Sequence, residues 1–317
     1  MSDAKTKVSP LKRAQSIAAV LLCRLMGALP LTVSRVLGER FFLLALLVLP
    51  RLKKVGMANL DLAYGDTLTP SQKKSILRGA ARNLGRVAAE FAWIPRVASS
   101  TPGELFHVAG LEHVDRAQGG VFVGAHLGNW EWLAPAAAVC GIKSMIVVRG
   151  FDDPVLDRMV DAVRRVPGVE TVHKDAAMGA LVTAVKQGIC AGILADQNPR
   201  ENALPAPFFG VDTWATIGPV MLARRAKCPV YPVSMTRNDE GKYVLEFCPP
   251  LEMVHTDDTL ADLVENTRRC QAALETLVRR SPGQWLWFHR RWRKRERLER
   301  EWAARLERRE SAEKQGD

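Results

Sequence analysis

The sequence predicts an α/β fold with a mixed, mainly parallel central sheet flanked by helices, preceded by an N-terminal hydrophobic helical segment that associates with a membrane. Two observations predict it. Short apolar runs alternate with helical stretches over most of the chain. The first fifty residues are strongly apolar yet interrupted by charges. A chain of 317 residues with 47% hydrophobic content can bury the core of one such domain.

Six short apolar runs bounded by turn residues are predicted as strands. They cover residues 106–109, 121–125, 144–148, 189–195, 230–236 and 243–247. Helices are predicted before, between and after them at residues 70–91, 130–139, 154–164, 176–187, 219–226 and 260–280. The first of these begins with Thr69 as cap and Pro70 in the first turn. Residues that follow parallel strands, namely His126, Arg149 and Asp196, are expected to meet at one sheet edge.

The N-terminal segment, residues 1–50, is predicted to lie in the surface of a bilayer. Its charges leave no run of the roughly 18 apolar residues that a spanning helix needs. Arg13, Arg24 and Arg35 are each eleven residues apart, which places them on one helical face, at the lipid headgroups. Pro30 is expected to kink or split the helix. A single tilted span held by snorkelling arginines is the alternative.

Residues 51–295 are predicted as the main domain and residues 296–317 as a charged helical tail. The net charge of +11 indicates anionic partners, and the apolar N-terminal segment favours a membrane over nucleic acid. Tryptophans and arginines alternate over residues 285–292, which suits either a membrane interface or the core. The six cysteines are widely spaced and have no C-x-x-C, which is typical of core residues in a reducing compartment.

One segment, residues 119–132, carries a histidine and a carboxylate at a sharp turn between a strand and a helix. His126 follows the strand, Gly128 permits a tight turn, and Asn129 is a good helix cap. Glu131 is expected in the first helical turn, where it can orient the imidazole of His126 and leave the other ring nitrogen free to take a proton. Backbone N–H groups of residues 128–130 are candidate oxyanion donors.

This H-x-x-x-x-E pattern after a glycine-rich strand resembles the catalytic motif of the lipid A biosynthesis lauroyl/myristoyl acyltransferases, in the lysophospholipid acyltransferase-like superfamily. Glycerolipid relatives carry aspartate at the last position. The resemblance covers about residues 51–293, and further motifs follow the family's order. They are residues 59–64, 82–90, 147–157, 195–199, 206–210, 216–218 and 285–292. It implies a glycerolipid acyltransferase-like fold.

The resemblance implies transfer of a fatty acyl chain from a thioester, on acyl carrier protein or coenzyme A, to a hydroxyl of a lipid A precursor at the cytoplasmic face of the inner membrane. His126 and Glu131 would be catalytic. Arg149 and Arg164 would bind phosphate, with Asp196 fixing one of them; a buried Arg149–Asp196 ion pair between strands is an equal alternative. No cofactor and no metal are expected.

Two departures from the family pattern leave alternatives. Residues 163–167 lack the usual Gly-Arg, so either Arg164 or Arg165 is the second arginine of the site. Residues 150–152 are Gly-Phe-Asp where the family tends to have proline and asparagine, so the acceptor could be another glycolipid, an aminolipid or a glycerolipid. A second alternative is that the protein is not an enzyme but a non-catalytic, membrane-bound lipid-binding protein.

Overall fold

The structure is a computed structural model that describes residues 9–174 and 177–316. Residues 1–8 of the predicted N-terminal segment, Ala176 as the predicted start of one helix, and Asp317 in the predicted tail lie outside the described residues. The strands are β1 (Phe106–Ala109), β2 (Val121–Gly124), β3 (Ser144–Val148), β4 (Val169–His173), β5 (Cys190–Leu194), β6 (Ala203–Phe208), β7 (Val211–Thr216), β8 (Val230–Arg237) and β9 (Tyr243–Phe247).

Seven of these strands form one sheet in the order β1-β9-β8-β2-β5-β3-β4. Every neighbouring pair is parallel except β8 with β9, so the predicted mixed, mainly parallel sheet is confirmed. Although β5 is later in the chain than β3 and β4, it lies between β2 and β3. The carboxyl ends of β2, β5 and β3 therefore lie side by side.

All six predicted strands are present, and the sequence patterns missed β4, β6 and β7. The strands β6 and β7 form a separate antiparallel hairpin. Pro205 and Pro207 lie in β6, where proline argues against a central strand but is tolerated in a two-stranded ribbon that has open edges. The strand β4 is at the edge of the sheet, and its five residues, Val-Glu-Thr-Val-His, lack the strict alternation of apolar and polar residues that is typical of a half-buried strand.

The helices are α1 (Pro10–Ala28), α2 (Leu31–Val48), α3 (Pro50–Tyr64), α4 (Pro70–Glu90), α5 (Ile94–Ala98), α6 (Leu133–Val139), α7 (Pro154–Arg164), α8 (Ala177–Lys186), α9 (Gly218–Ala226), α10 (Thr259–Arg280) and α11 (Glu296–Gly316). Thr69 caps α4 as predicted, in a reciprocal capping box with Gln72. The helix α3 was not predicted, and α6 begins three residues later than expected.

The two faces of the sheet are covered by different elements. Val121 and Val123 of β2 point toward the side that contains α8, α9, α10 and the C-terminal tryptophans. Phe122 points to the opposite side, toward α5 and α6. This alternation along one strand fixes β2 at the centre of the core and holds the residue that follows it.

Pro30 separates α1 from α2, as predicted. Within residues 9–174 and 177–316, no helix combines the length and the apolar character needed to cross a membrane. The two helices carry many exposed large apolar side chains: Leu11, Ile17, Leu21, Leu22, Leu25, Val33, Val36, Leu37, Phe41, Leu44, Leu47 and Val48.

Helix α2 packs directly on α4 of the following segment. At Gly38 and Gly85 the two backbones touch, because a Cβ at Gly38 would be 2.2 Å from the carbonyl oxygen of Gly85. The expectation that Arg35 lies at the headgroups is wrong, since its guanidinium pairs with the buried Glu90 at the end of α4. The division of the chain at residue 50 stays a prediction.

The C-terminal aromatic segment belongs to the core. Trp285, Trp287 and Arg291 are each fully buried. Of the two alternatives for residues 285–292, packing in the core is therefore right for these three side chains, and a role for them in the membrane interface is wrong.

Candidate active site

His126 lies two residues beyond the end of β2 and is held by a buried carboxylate from the neighbouring strand β5. Its Nδ1 is 2.8 Å from Oδ1 of Asp196, and its backbone N–H donates to Oδ2 of the same side chain at 2.9 Å. The two residues meet because Val121–Gly124 pairs in parallel register with Ala191–Leu194. The expected meeting of His126 and Asp196 at strand ends is found.

Asp196 is 1% exposed, and both of its carboxylate oxygens have hydrogen-bond partners. The indole Nε1 of Trp285 donates to its Oδ2 at 2.7 Å. Burial raises the pKa of Asp196, but the charge and hydrogen bond of His126 outweigh burial and hold the pKa well below its usual range. The side chain is thus an ionised carboxylate with its charge directed at the imidazole.

The electrostatics suit a base at His126. Burial lowers the pKa of His126, but the charge and hydrogen bond of Asp196, together with the charge of Glu131, raise it above its ordinary value overall. With the Nδ1 proton donated to Asp196, the Nε2 lone pair is available to take a proton. The amide Nε2 of Gln197 lies 3.3 Å from this ring nitrogen.

The turn after His126 is fixed by its backbone bonds. Gly128 has φ of +61°, and a Cβ there would be 1.9 Å from the carbonyl oxygen of Met235, so only glycine fits. The N–H of Gly128 donates to the carbonyl of Gln284 at 3.0 Å, and that of Asn129 to the carbonyl of Met235 at 2.7 Å. The expectation that these two N–H groups serve as oxyanion donors is therefore wrong.

Glu131 pairs with Arg164 instead of with His126. The guanidinium donates to both carboxylate oxygens, from Nε at 2.9 Å and from the terminal nitrogen at 2.7 Å. The expectation that Glu131 hydrogen-bonds His126 is wrong, as is the expectation that Asp196 pairs with an arginine. The physical reason is the strand order, which brings Asp196 next to the imidazole, whereas Glu131 faces α7.

The two candidate arginines are in different situations. Arg164 lines the cavity beside His126, whereas Arg165 is exposed and pairs with Asp161 on its own helix. Arg149 follows β3 and is exposed at the cavity's mouth, with no ion pair to any residue in the described ranges.

A cavity of about 360 Å³ opens beside these groups. Its polar end holds His126, Glu131, Arg149 and Arg164. The rest of its wall is largely apolar and reaches under α6: Phe122, Leu133, Ala137, Ile146, Leu245 and Phe247. This size and lining are typical of a pocket for a small apolar group with a few polar contacts at one end.

Sequence reasoning missed two residues of the site. Trp285 lies in the aromatic segment, and its sequence position did not indicate that it would contact Asp196. Gln197 follows Asp196 in residues 195–199, and its position did not indicate that it would contact His126. The only indication in the sequence that these two residues belong to the site was that both lie in segments that follow the family's order of motifs.

Comparison with protein families matches residues 1–294 to bacterial lipid A biosynthesis acyltransferase. The lipid A biosynthesis palmitoleoyltransferase of Escherichia coli (strain K12) is 28% identical over 276 residues, which are 84% of this chain and 87% of that protein. The lipid A biosynthesis acyltransferase of Shigella flexneri matches with the same identity and coverage.

The family match and the two relatives agree with the resemblance found in the motifs. They also decide against the alternative of a non-catalytic lipid-binding protein, because the family and both relatives are acyltransferases. The chain belongs to the bacterial lipid A biosynthesis acyltransferase family and is an enzyme that transfers acyl groups.

Proposed function

We propose that the enzyme moves a fatty acyl chain from a thioester donor, acyl carrier protein or coenzyme A, to a hydroxyl of a lipid A precursor in lipopolysaccharide biosynthesis. The observation that carries this proposal is a histidine and carboxylate pair at the polar end of an apolar cavity. The cavity accepts the acyl chain, and its polar end holds the thioester carbonyl beside His126.

In the proposed mechanism, Nε2 of His126 takes the proton of the acceptor hydroxyl as its oxygen attacks the thioester carbonyl carbon. Asp196 keeps the proton on Nδ1 and stabilises the imidazolium. The tetrahedral intermediate then breaks its carbon–sulfur bond, and the imidazolium returns the proton to the departing thiolate. Glu131 supports the imidazolium by its charge across the cavity, and no covalent enzyme intermediate is required.

The two arginines are proposed to act differently. Arg164 has its planar fork occupied by Glu131, so it holds that carboxylate in place. Arg149 is exposed at the mouth, and it binds a phosphate of the lipid or of the carrier's phosphopantetheine.

This difference gives a prediction. Arg149→Lys is expected to raise KM for one substrate severalfold with kcat retained, because a point charge replaces a bidentate fork. Arg164→Lys is expected to lower kcat instead, because Glu131 loses its second hydrogen bond. Steady-state kinetics with each substrate varied in turn measures both effects. Arg165→Lys is the matched control, and equal effects at positions 164 and 165 would contradict the assignment.

We also propose that residues 1–50 hold the enzyme on the cytoplasmic face of the inner membrane. The exposed apolar side chains of α1 and α2 support this, since transfer of each large one out of water is worth about 1.5–3 kcal/mol. All six cysteines are free, which fits a reducing compartment.

The attachment can be tested by fractionation. The full-length protein is expected to stay with membranes through a high-salt wash, whereas the double variant Phe41→Lys and Leu44→Lys is expected to be released in part. Leu306→Lys is the matched control, because Leu306 is an exposed apolar residue on α11, far along the chain from this segment. Recovery of the unaltered protein in the soluble fraction without detergent would contradict the proposal.

The function itself is tested by mass spectrometry of lipid A from a strain that lacks the protein. We expect a loss of one acyl chain that the wild-type gene restores. The mass difference also identifies the chain. Unchanged lipid A with an altered glycolipid, aminolipid or glycerolipid would show that the acceptor is different.

A further inference from the structure

A buried carboxylate joins the N-terminal helix α2 to the turn that follows His126. Glu90, the last residue of α4, is 0% exposed. It accepts hydrogen bonds from Nδ2 of Asn129 at 2.6 Å and from the hydroxyl of Tyr243 at 2.7 Å, and it pairs with Nε of Arg35. The backbone carbonyl of Glu90 accepts from the indole of Trp132 at 3.1 Å. A charge buried this deeply is tolerated only with such partners.

Asn129 links Glu90 to the candidate active site, because it lies in the turn that follows His126. Its side chain is fully buried, with Nδ2 donating to Glu90 and Oδ1 accepting from the backbone N–H of Trp132 at 3.3 Å. The turn closed in this way contains Trp130 and Glu131. The ring of Trp130 meets that of His126 edge to face at 5.2 Å, and Glu131 lines the cavity.

Arg35 reaches this carboxylate from α2, which is seated on α4 by the backbone contact of Gly38 with Gly85. We propose that Glu90 and Arg35 are positioning residues for acyl transfer: α2 neutralises Glu90, and Glu90 holds Asn129 so that Trp130 and Glu131 face His126. The membrane-associating segment is thereby part of the catalytic apparatus as well as an anchor. This inference rests on the proposed function of His126.

The chain offers a matched control for the ion pair. Arg86 of α4 pairs with Glu39 of α2, so it joins the same two helices one turn away. Neither side chain hydrogen-bonds a residue of the turn after His126 among the described residues. If α2 matters only because it must be docked, then breaking either pair should have the same effect.

The test uses full-length protein in mixed micelles, with an acyl carrier protein thioester as donor and a lipid A precursor as acceptor. Arg35→Met is expected to lower kcat by about 10- to 100-fold with KM nearly unchanged, because small displacements of positioned groups have effects of that size. Glu39→Gln, the control, is expected to stay within about 2-fold of wild type. The double variant Arg35→Met with Glu90→Gln is expected to recover to within about 5-fold, because the unpaired buried charge is gone.

Equal kcat for Arg35→Met and Glu39→Gln, or no recovery in the double variant, would overturn the proposal. If Arg35→Met does not give folded protein, Arg35→Gln and Glu90→Ala carry the test, since the first removes the charge that neutralises Glu90 and the second removes the acceptor of Asn129; unchanged kcat in both would overturn the proposal. His126→Ala is measured in parallel. Full activity of that variant would refute the proposed function, whereas its inactivity together with equal effects at the two ion pairs would refute only the role of Arg35 and Glu90.

Discussion

His126→Ala is expected to abolish acyl transfer, lowering kcat by roughly 10²- to 10⁴-fold through loss of the general base. The fold should survive, because the side chain is partly exposed to the cavity and the backbone bonds of residue 126 remain. Purified variant with a thioester donor and lipid acceptor is the assay, with circular dichroism as a check of folding.

The matched control is His107→Ala, since His107 is exposed on β1 at the far edge of the sheet. It should keep wild-type activity. A His126→Ala enzyme within a few-fold of wild type would refute the base mechanism, and the cavity would then have to work through another group.

Asp196→Asn is expected to have the second large effect, a fall in kcat of up to about 10⁴-fold. Asp196 accepts three hydrogen bonds, from the backbone and ring of His126 and from Trp285. An amide has only one acceptor oxygen, so its NH₂ group must face a donor or force the imidazole into the tautomer with a proton on Nε2. Asp262→Asn is the control, because that carboxylate is also buried but bonds Thr256 far from the cavity.

The pH dependence of kcat distinguishes an effect of Asp196 on the basicity of His126 from a general loss of structure in the Asp196→Asn variant. A general base works only when neutral, so activity rises with pH through the pKa of His126. That pKa is raised in the wild type, mainly by Asp196 against the effect of burial, so the acid limb should lie above the ordinary histidine value of about 6.5. Loss of the carboxylate charge in Asp196→Asn should move the limb to lower pH. A limb that does not move would show that Asp196 does not control His126.

The sequence predicted those parts of the fold that depend on local pattern. The runs at residues 106–109, 144–148 and 243–247 became strands with those bounds, because a short apolar run between turn residues is determined nearby. The strand β6 was missed because its prolines are acceptable where a strand edge is open, as in this two-stranded hairpin, and an open edge is a property of tertiary structure.

In the candidate active site, too, the features that depend on local sequence were predicted and those that depend on tertiary structure were not. His126 was placed correctly at a strand exit, since a glycine-rich turn after an apolar run is visible in the sequence. Its partner was assigned wrongly, because Glu131 is five residues away and Asp196 seventy. Only the insertion of β5 beside β2 brings the distant carboxylate closer, and strand order depends on contacts that no local pattern contains.

The docking of residues 284–286 on the turn after His126 has a consequence for biosynthesis of the enzyme. Trp285 bonds Asp196, and the N–H of Leu286 donates to the carbonyl of His126 at 3.0 Å. A nascent chain that already contains His126 and Asp196 therefore still lacks part of the site's scaffold until these late residues leave the ribosome. Completion of the scaffold is thus tied to late translation, so a chain that is still being synthesised is expected to be unable to transfer acyl groups.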